Sequence, residues 1–435
     1  MPRPRSASNS ERFRRGAESA SFKRSSTRPP SPLRLHVGLW KRGGDGAYSQ
    51  ADYLLLAVVL ALLLFGICFI YTASAAHAER DYHDAAYFLK RQLMHAAIAL
   101  ALMFVIMRFD YHEYLRHAPL LYWGAVILLV AILFAPSSWV VRGSRRWIML
   151  EAMQFQPSEL AKYAMIFCLS NNLARKEVDI QNFRDGLLPQ LMLIGIVAVA
   201  VALEPDLGTA ALILGIGAIV LFLAQARWWH LALIGISSVA ALLAFLARTT
   251  YQRTRLLNYI ASMFGDSQPA WQVKQSLISL GAGGIFGVGL GQSRQRLLFL
   301  PDPHTDFIMA IIGEELGLIG TMAILLLFIV FIARGFQIAR RAPDRTGQLL
   351  AAGITVCIGM YAFINAGVVM NLLPTTGVPM PFVSYGGSAL LLNLFGVGVL
   401  LNIAAQAKRA TVRPVSNFRN GQRFSPERAV YRRGH

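Results

Sequence analysis

Ten apolar runs, each long enough to cross the hydrocarbon layer of a membrane, limit what this chain can fold into. A bilayer core of about 30 Å needs roughly 20 apolar residues of helix, and only helices or closed barrels satisfy every backbone polar group there. The runs cover about 53–75, 92–108, 118–135, 158–174, 187–203, 208–225, 229–247, 306–333, 348–370 and 387–406. They predict an all-α polytopic membrane protein with ten transmembrane helices.

Composition and charge agree with that prediction. The chain is 55% hydrophobic and only 15% charged, which excludes an ordinary soluble multidomain protein. Residues 1–46 carry eleven Lys/Arg against three acids and residues 408–435 carry eight against one, so these tails hold 15 of the formal charge of +19. Beside a bundle of spans, we interpret both tails as cytoplasmic anchors that face anionic membrane lipid, with no nucleic-acid partner. The Ser/Arg/Pro composition of residues 1–34 also predicts disorder. The membrane domain then covers 47–407.

Topology follows from the even number of spans, which returns both tails to one side. If that side is the cytoplasm, the inner loops carry basic residues, as the positive-inside rule expects: Arg108, Arg116, Arg175, Lys176, Arg184, Arg227, Arg334, Arg340, Arg341 and Arg345. Two outer connections depart from the rule. The short one contains Arg142, Arg145 and Arg146, and the other is a large extracytoplasmic loop over 248–305. Positive charge kept outside in the short loop suggests an anionic ligand, and so long a loop is more often functional than not.

The segment Leu297–Gly320 leads from the large loop into the eighth span. Its prolines predict an extended approach, and Thr305 is a suitable N-cap for a helix that begins at Asp306. One face of that helix would carry a stripe of small residues below the acid, which predicts close approach of another helix. The stripe comprises Asp306, Ala310, Gly313, Gly317 and Gly320. The preceding glycine run, 281–291, has no phosphate-binding signature and predicts tight packing or a membrane-surface turn.

Four polar motifs all map to outer connections: GSRRWIMLEAMQFQPSELAK, EPDLGT, the Pro-His-Thr-Asp segment and NLLPTTGVPMPFVSYGGS. In the first, Glu159 and Lys162 are i,i+3 neighbours at the outer end of the fourth span. Ionisable residues at that depth are functional candidates, although the two could simply neutralise each other. Arg145, Arg146 and Trp147 form either an interfacial anchor or an anion clamp.

For the remaining motif residues, a purely structural role is an alternative to a functional one. The alternative for Glu204 and Asp206 is that they simply form and cap a turn between two spans. His304 is either a hydrogen-bonded loop residue or a base, and Asp306 is either a base or a first-turn acid stabilised by the helix dipole. The Tyr385–Ser388 segment could serve only to begin the last helix with a flexible turn.

Together these motifs closely resemble the SEDS family of cell-wall polymerases (shape, elongation, division and sporulation). The resemblance covers roughly residues 50–407, with GSRRWI, QPSELAK, EPDLGT, LPDPHTDFIMAIIGEELG and LPTTGVPMPFVSYGGS in the family's order. The amino-terminal tail, SNNLARK, FLAQA and LPTTG look most like the division member. VPMPFVSYGGSAL is closer to the elongation member.

The resemblance implies a peptidoglycan glycosyltransferase that polymerises lipid II at the outer face of the bacterial cytoplasmic membrane, at the division septum. Its implied partners are a class B penicillin-binding transpeptidase and other divisome membrane proteins. The family's proposed catalytic aspartate falls on Asp306. Its other motif residues fall on Arg146, Trp147, Glu159 and Lys162, and we count His304 and Ser384 with them as substrate-binding residues. No cofactor is implied with certainty, and a divalent cation that bridges acids is a further option.

This chemistry suits the residues. Glycan extension from a lipid-pyrophosphate donor needs a base for the acceptor 4-hydroxyl and positive charge where the pyrophosphate leaves. Two other functions compete: a flippase that moves lipid II through the bundle, and a non-catalytic division scaffold. Motifs on one face, without an inverted repeat, argue against the flippase. A scaffold leaves the outer motifs unexplained.

Overall fold

The computed structural model describes residues 52–136, 145–149, 154–236, 250–264, 269–295 and 303–412. Most of the two predicted tails, Arg142, Pro301 and part of the seventh predicted span lie outside these ranges. The labelled helices are α1 (Tyr53–Tyr82), α2 (Tyr87–Ile106), α3 (Tyr111–Arg116), α4 (Ala118–Leu133), α5 (Pro157–Leu173), α6 (Leu188–Leu203), α7 (Leu207–Leu223), α8 (Thr250–Met263), α9 (Trp271–Gly283), α10 (Ile308–Arg341), α11 (Arg345–Val369) and α12 (Gly387–Val412).

The prediction of an all-α polytopic membrane protein is confirmed. Nine of the ten predicted spans coincide with helices, and the described part of the seventh, to residue 236, is helical. Six described helices are both long and apolar enough to cross a membrane, and α4 and α7 are shorter apolar helices. The described strands are β1 (Ile148–Met149) and β2 (Gln154–Phe155), which pair antiparallel in the connection before α5. The described residues of the predicted large loop include two helices, α8 and α9.

Helices α5, α11 and α12 form the centre of the bundle. In the apolar 18-residue stretch of α11 and of α12, 83% of the residues are buried within the protein, whereas the corresponding share in α2 and α10 is 33%. Most of α5 is buried as well, including the charged residues Glu159 and Lys162. Pro157 occupies the first turn of α5, as predicted, where its missing N–H costs no hydrogen bond. The outer helices present the remaining apolar surface to lipid.

The predicted start of α10 is wrong. The helix begins at Ile308 with Phe307 at the N-cap, so Thr305 is not the cap and Asp306 precedes the helix. Hydrogen bonds from other parts of the chain explain the difference. The Asn365 amide donates to the Asp306 carbonyl at 2.8 Å, and the Tyr385 N–H donates to the His304 carbonyl at 2.9 Å. These bonds hold residues 303–307 in turns, which a local capping rule could not foresee.

The predicted stripe of small residues is interrupted, because α10 breaks at Gly317. Its backbone has φ 68° and ψ −161°, a conformation that only glycine adopts readily. Residues 284–289 pair with the break. Leu318 N–H donates to the Gly284 carbonyl at 2.9 Å, and Val288 N–H donates to the Glu314 carbonyl at 2.9 Å. The glycine run therefore packs tightly, as predicted, and it satisfies backbone groups that the broken helix would leave open.

Substituting Gly317 by alanine should destabilise the protein. An added Cβ would lie 2.4 Å from the Gly287 nitrogen, at a φ that side chains rarely adopt. Strain and overpacking each cost about 1–3 kcal/mol, so the melting temperature of detergent-purified protein should fall clearly. The matched control is Gly281→Ala in α9, where nothing lies within 4 Å of the new Cβ, and where alanine favours the helix. Equal melting temperatures for the two variants would contradict the strained break.

Candidate active site

Asp306 lies half-buried on a small cavity at the end of the bundle where α10 begins. Asn365, in α11, fixes this turn by donating to the carbonyls of both Asp306 and Val378 at 2.8 Å. The Asp306 carboxylate faces Gly377, where a Cβ would lie 3.5 Å from Oδ2. The cavity measures about 30 Å³. It is lined by Gln272, Asp306, Phe307, Asn365, Val368, Thr375, Thr376, Gly377 and Val378.

His304 and Ser384, both predicted to bind substrate, have contacts that shape this turn. The His304 ring is 4% exposed, and its centroid lies 4.3 Å from that of Phe88 and 5.5 Å from that of Tyr385. Ser384 is 5% exposed, and its hydroxyl accepts a hydrogen bond from Met380 N–H at 2.9 Å. Neither residue lines the Asp306 cavity. Both are placed to hold the backbone on either side of it.

Glu159 and Lys162 form an ion pair inside the bundle. Glu159 Oε2 lies 2.6 Å from Lys162 Nζ, and both side chains are at most 3% exposed. The ammonium also lies 3.7 Å from the centre of the Tyr361 ring in α11. Tyr361 is one turn before Asn365, about 6 Å along the helix axis. The pair and the Asp306 turn therefore contact the same face of α11 at successive turns.

Arg146 is held at the same end of the bundle by Asp206. Arg146 Nη1 lies 3.2 Å from Asp206 Oδ2, while Asp206 Oδ1 caps α7 by accepting from Thr209 N–H at 3.1 Å. The predicted capping role of Asp206 is confirmed, and the same side chain also orients the arginine. Trp147 is half-buried beside Arg146 and does not line the Asp306 cavity.

The start of α7 joins this ion pair to the Asp306 cavity. A Cβ on Gly208 would lie 2.7 Å from the Thr376 carbonyl oxygen, so the absence of a side chain lets α7 pack directly on the cavity wall. Thr376 and the following Gly377 line the cavity that Asp306 faces. Motifs that are far apart in the sequence thus meet around one acid.

Glu204, in the turn between α6 and α7, is a buried acid. It is 1% exposed, and among the described residues neither of its carboxylate oxygens has a hydrogen-bond partner. Burial, with a smaller contribution from the nearby Asp206 charge, raises the pKa of Glu204 to about 8, and Arg146 opposes the change. The carboxyl group is therefore largely protonated at neutral pH.

This raised pKa predicts a pH dependence of stability. The folded protein holds the Glu204 proton more tightly than the unfolded chain, whose ordinary value is 4.5. Stability from this group is therefore fully present below about pH 4.5 and declines as pH rises towards 8. Glu204→Gln should raise the melting temperature at pH 8 and flatten its decline between pH 5 and 8. As a control, Glu113→Gln changes an acid with a 60% exposed side chain. A profile unchanged by Glu204→Gln would contradict the buried protonated acid.

Sequence reasoning missed four polar residues that line the Asp306 cavity: Gln272, Asn365, Thr375 and Thr376. They are uncharged, so the search for ionisable groups in the membrane passed over them. An amide inside the apolar run 348–370 was the available signal for Asn365. Within the described ranges, no group of three or more His, Cys, Asp and Glu residues could hold a metal ion. The described residues therefore supply no such cluster for a divalent cation, and no step is assigned to one.

Fold and site together define a polytopic α-helical membrane protein with an acid-centred polar site at one end of its bundle. The sequence profile of the cell cycle protein family FtsW/RodA/SpoVE matches residues 52–409. The chain belongs to this family.

Similar proteins include a probable peptidoglycan glycosyltransferase FtsW of Geobacter metallireducens, 37% identical over 83% of this chain and 96% of the relative. The stage V sporulation protein E of Bacillus subtilis is 41% identical over 83% and 98%. Among solved structures, Thermus thermophilus RodA matches with a TM-score of 0.62 and 26% identity, covering 82% of this chain and 97% of that one. A chain of a peptidoglycan synthase complex matches with a TM-score of 0.67 and 28% identity, covering 82% and 98%.

Proposed function

We propose that this protein is a peptidoglycan glycosyltransferase that polymerises lipid II at the outer face of the cytoplasmic membrane during septal wall synthesis. The observation that carries the proposal is the position of Asp306, which is held half-buried on a cavity by Asn365 in a chain of this family. This chain also matches relatives that are named for this activity over nearly the whole of their length. The proposal requires that the end of the bundle with Asp306 faces the outside of the cell and that both tails lie in the cytoplasm.

In the proposed reaction, the Asp306 carboxylate takes the proton from the 4-hydroxyl of the acceptor sugar. The hydroxyl oxygen then attacks the anomeric carbon of the donor, whose bond to the lipid pyrophosphate breaks as the pyrophosphate leaves with the electron pair. We assign to Arg146, 29% exposed and oriented by Asp206, the role of meeting the departing anion. We assign Lys162 a supporting positive charge from inside the bundle, where it is paired with Glu159. A single base favours direct displacement.

We further propose a class B penicillin-binding transpeptidase as the partner, together with other divisome proteins. One solved structure similar to this chain belongs to a synthase complex that coordinates polymerisation with crosslinking. We also assign Trp147, His304 and Ser384 to substrate binding: Trp147 lies beside Arg146, and His304 and Ser384 make the contacts that shape the backbone around Asp306.

Polymerisation by purified protein tests the proposal against its main rival. Full-length protein and the transpeptidase, mixed with lipid II, should yield glycan strands. Facilitated passage of lipid II across liposome membranes, without any polymer, would instead favour the flippase. The intramembrane pair Glu159–Lys162 is the feature that would serve that rival.

A further inference from the structure

A second, larger cavity adjoins the Asp306 cavity and is not part of the site described above. It measures about 310 Å³, which is at the lower end of the range typical of ligand pockets. It lies between α8, the first turn of α9 and the segment 371–375. Its lining comprises Thr254, Asn258, Tyr259, Ser262, Ala270, Trp271, Gln272, Val273, Asn371 and Thr375. We call it the α8–α9 pocket.

The α8–α9 pocket and the Asp306 cavity share two wall residues, Gln272 and Thr375. At about 30 Å³, the Asp306 cavity has room for little more than one or two waters or a hydroxyl group. A sugar ring that presents its hydroxyl to Asp306 must therefore lie mainly outside that cavity. The α8–α9 pocket, with ten times the volume, is directly next to it.

The lining indicates the kind of ligand. None of the ten described residues of the lining is Asp, Glu, Lys, Arg or His, so the described part of the wall offers no charge to a pyrophosphate. Three side-chain amides and four hydroxyl groups supply both donors and acceptors, which suit the hydroxyl and acetamido groups of an amino sugar. Trp271, 58% exposed, adds a flat apolar surface of the kind that packs against a sugar ring.

Hydrogen bonds between neighbouring elements fix the pocket walls. The Tyr259 hydroxyl donates to the Leu372 carbonyl at 2.7 Å and ties α8 to the segment 371–375. The Ser276 hydroxyl donates to the Val369 carbonyl at 2.8 Å and ties α9 to the end of α11. A pocket held in this way is preformed, so binding does not have to order it first.

We propose that the α8–α9 pocket is a saccharide subsite that binds N-acetylated amino sugars and delivers a sugar hydroxyl to Asp306. This inference rests on the proposed polymerase function and adds to it the place where the glycan is held. The sugar comes either from the incoming lipid-linked unit or from the growing strand, and both present the same chemistry.

Binding can be measured without catalysis, using chitotetraose as a soluble probe and the full-length protein in detergent. Saturation-transfer NMR should detect binding to the wild type and to Asp306→Asn. Asn258→Leu and Gln272→Leu should each weaken it about tenfold, because each removes hydrogen-bonding groups from the wall. Leu257→Ala and Ile278→Ala are matched controls on the same helices, at exposed apolar positions outside the lining. No binding to the wild type, or equal binding by pocket and control variants, would overturn the inference.

Polymerisation kinetics identify the source of the sugar. If the pocket holds the incoming unit, the pocket variants should raise the KM for lipid II; if it holds the strand, they should shorten the product at unchanged KM. If the wild type polymerises lipid II and the pocket variants behave like the control variants in both the binding and the kinetic assay, the saccharide subsite is rejected. The proposed polymerase function then still stands. Probe binding without any polymerisation by the wild type would reject the polymerase and leave the saccharide pocket.

Discussion

Asp306→Asn is expected to abolish glycan polymerisation while the protein still folds and binds its partner. Asparagine has nearly the same shape but cannot accept a proton from the acceptor hydroxyl. Loss of a general base typically costs about 10²–10⁴ in rate, which takes the product below detection in a gel assay of strands made from labelled lipid II. The fold should be retained, because Asn365 holds this turn through the Asp306 backbone carbonyl, which the substitution does not alter.

Two further variants sharpen this test. Asp81→Asn changes an exposed acid at the end of α1 and should polymerise normally. Asp306→Glu keeps the charge but adds a methylene group in a cavity of about 30 Å³. It should recover little activity, because a misplaced base loses most of its benefit. Normal strand synthesis by Asp306→Asn would remove this residue as the base.

The fold was largely predictable because the membrane imposes a single rule on every span. Apolar runs such as 53–75 and 348–370 must be helical in lipid, so their positions follow from hydropathy alone. The break at Gly317 was hidden for a physical reason. Its backbone groups are satisfied by residues 284–289, some 30 positions earlier in the chain, and no local pattern reveals such a partner. The same limit applies to the turn at Asp306, which Asn365 fixes from another helix.

The sequence pointed to the charged residues of the candidate site but not to the neutral residues that line the Asp306 cavity. Asp306, Arg146 and the Glu159–Lys162 pair stand out because charge is costly near a membrane. Amides and hydroxyls such as Gln272, Asn258 and Thr375 are unremarkable in a loop sequence, and only packing brings them to common cavities. Pairing was also only partly foreseen. The i,i+3 spacing predicted the contact of Lys162 with Glu159, but nothing in the sequence joined Arg146 to Asp206.

Lys162→Met is expected to destabilise the protein strongly. The substitution removes the cation of a buried ion pair and leaves the Glu159 carboxylate inside the bundle without it. Breaking such a pair from one side costs about 3–5 kcal/mol, whereas replacing both partners by uncharged groups is often neutral or stabilising. Thermal unfolding of detergent-purified protein should therefore show a low melting temperature for Lys162→Met and a value close to wild type for the double variant Glu159→Gln/Lys162→Met.

Activity of the double variant then separates a structural pair from a functional one. Lys162 contacts Tyr361, one helical turn from the residue that holds Asp306, and a charge in such a low-dielectric position acts over several ångströms. We expect the double variant to fold and still to polymerise lipid II poorly, because the field that favours the departing pyrophosphate is gone. Its chitotetraose binding should be unchanged, since neither residue lines the α8–α9 pocket. Wild-type strand synthesis by this stable double variant would show instead that the pair only neutralises itself.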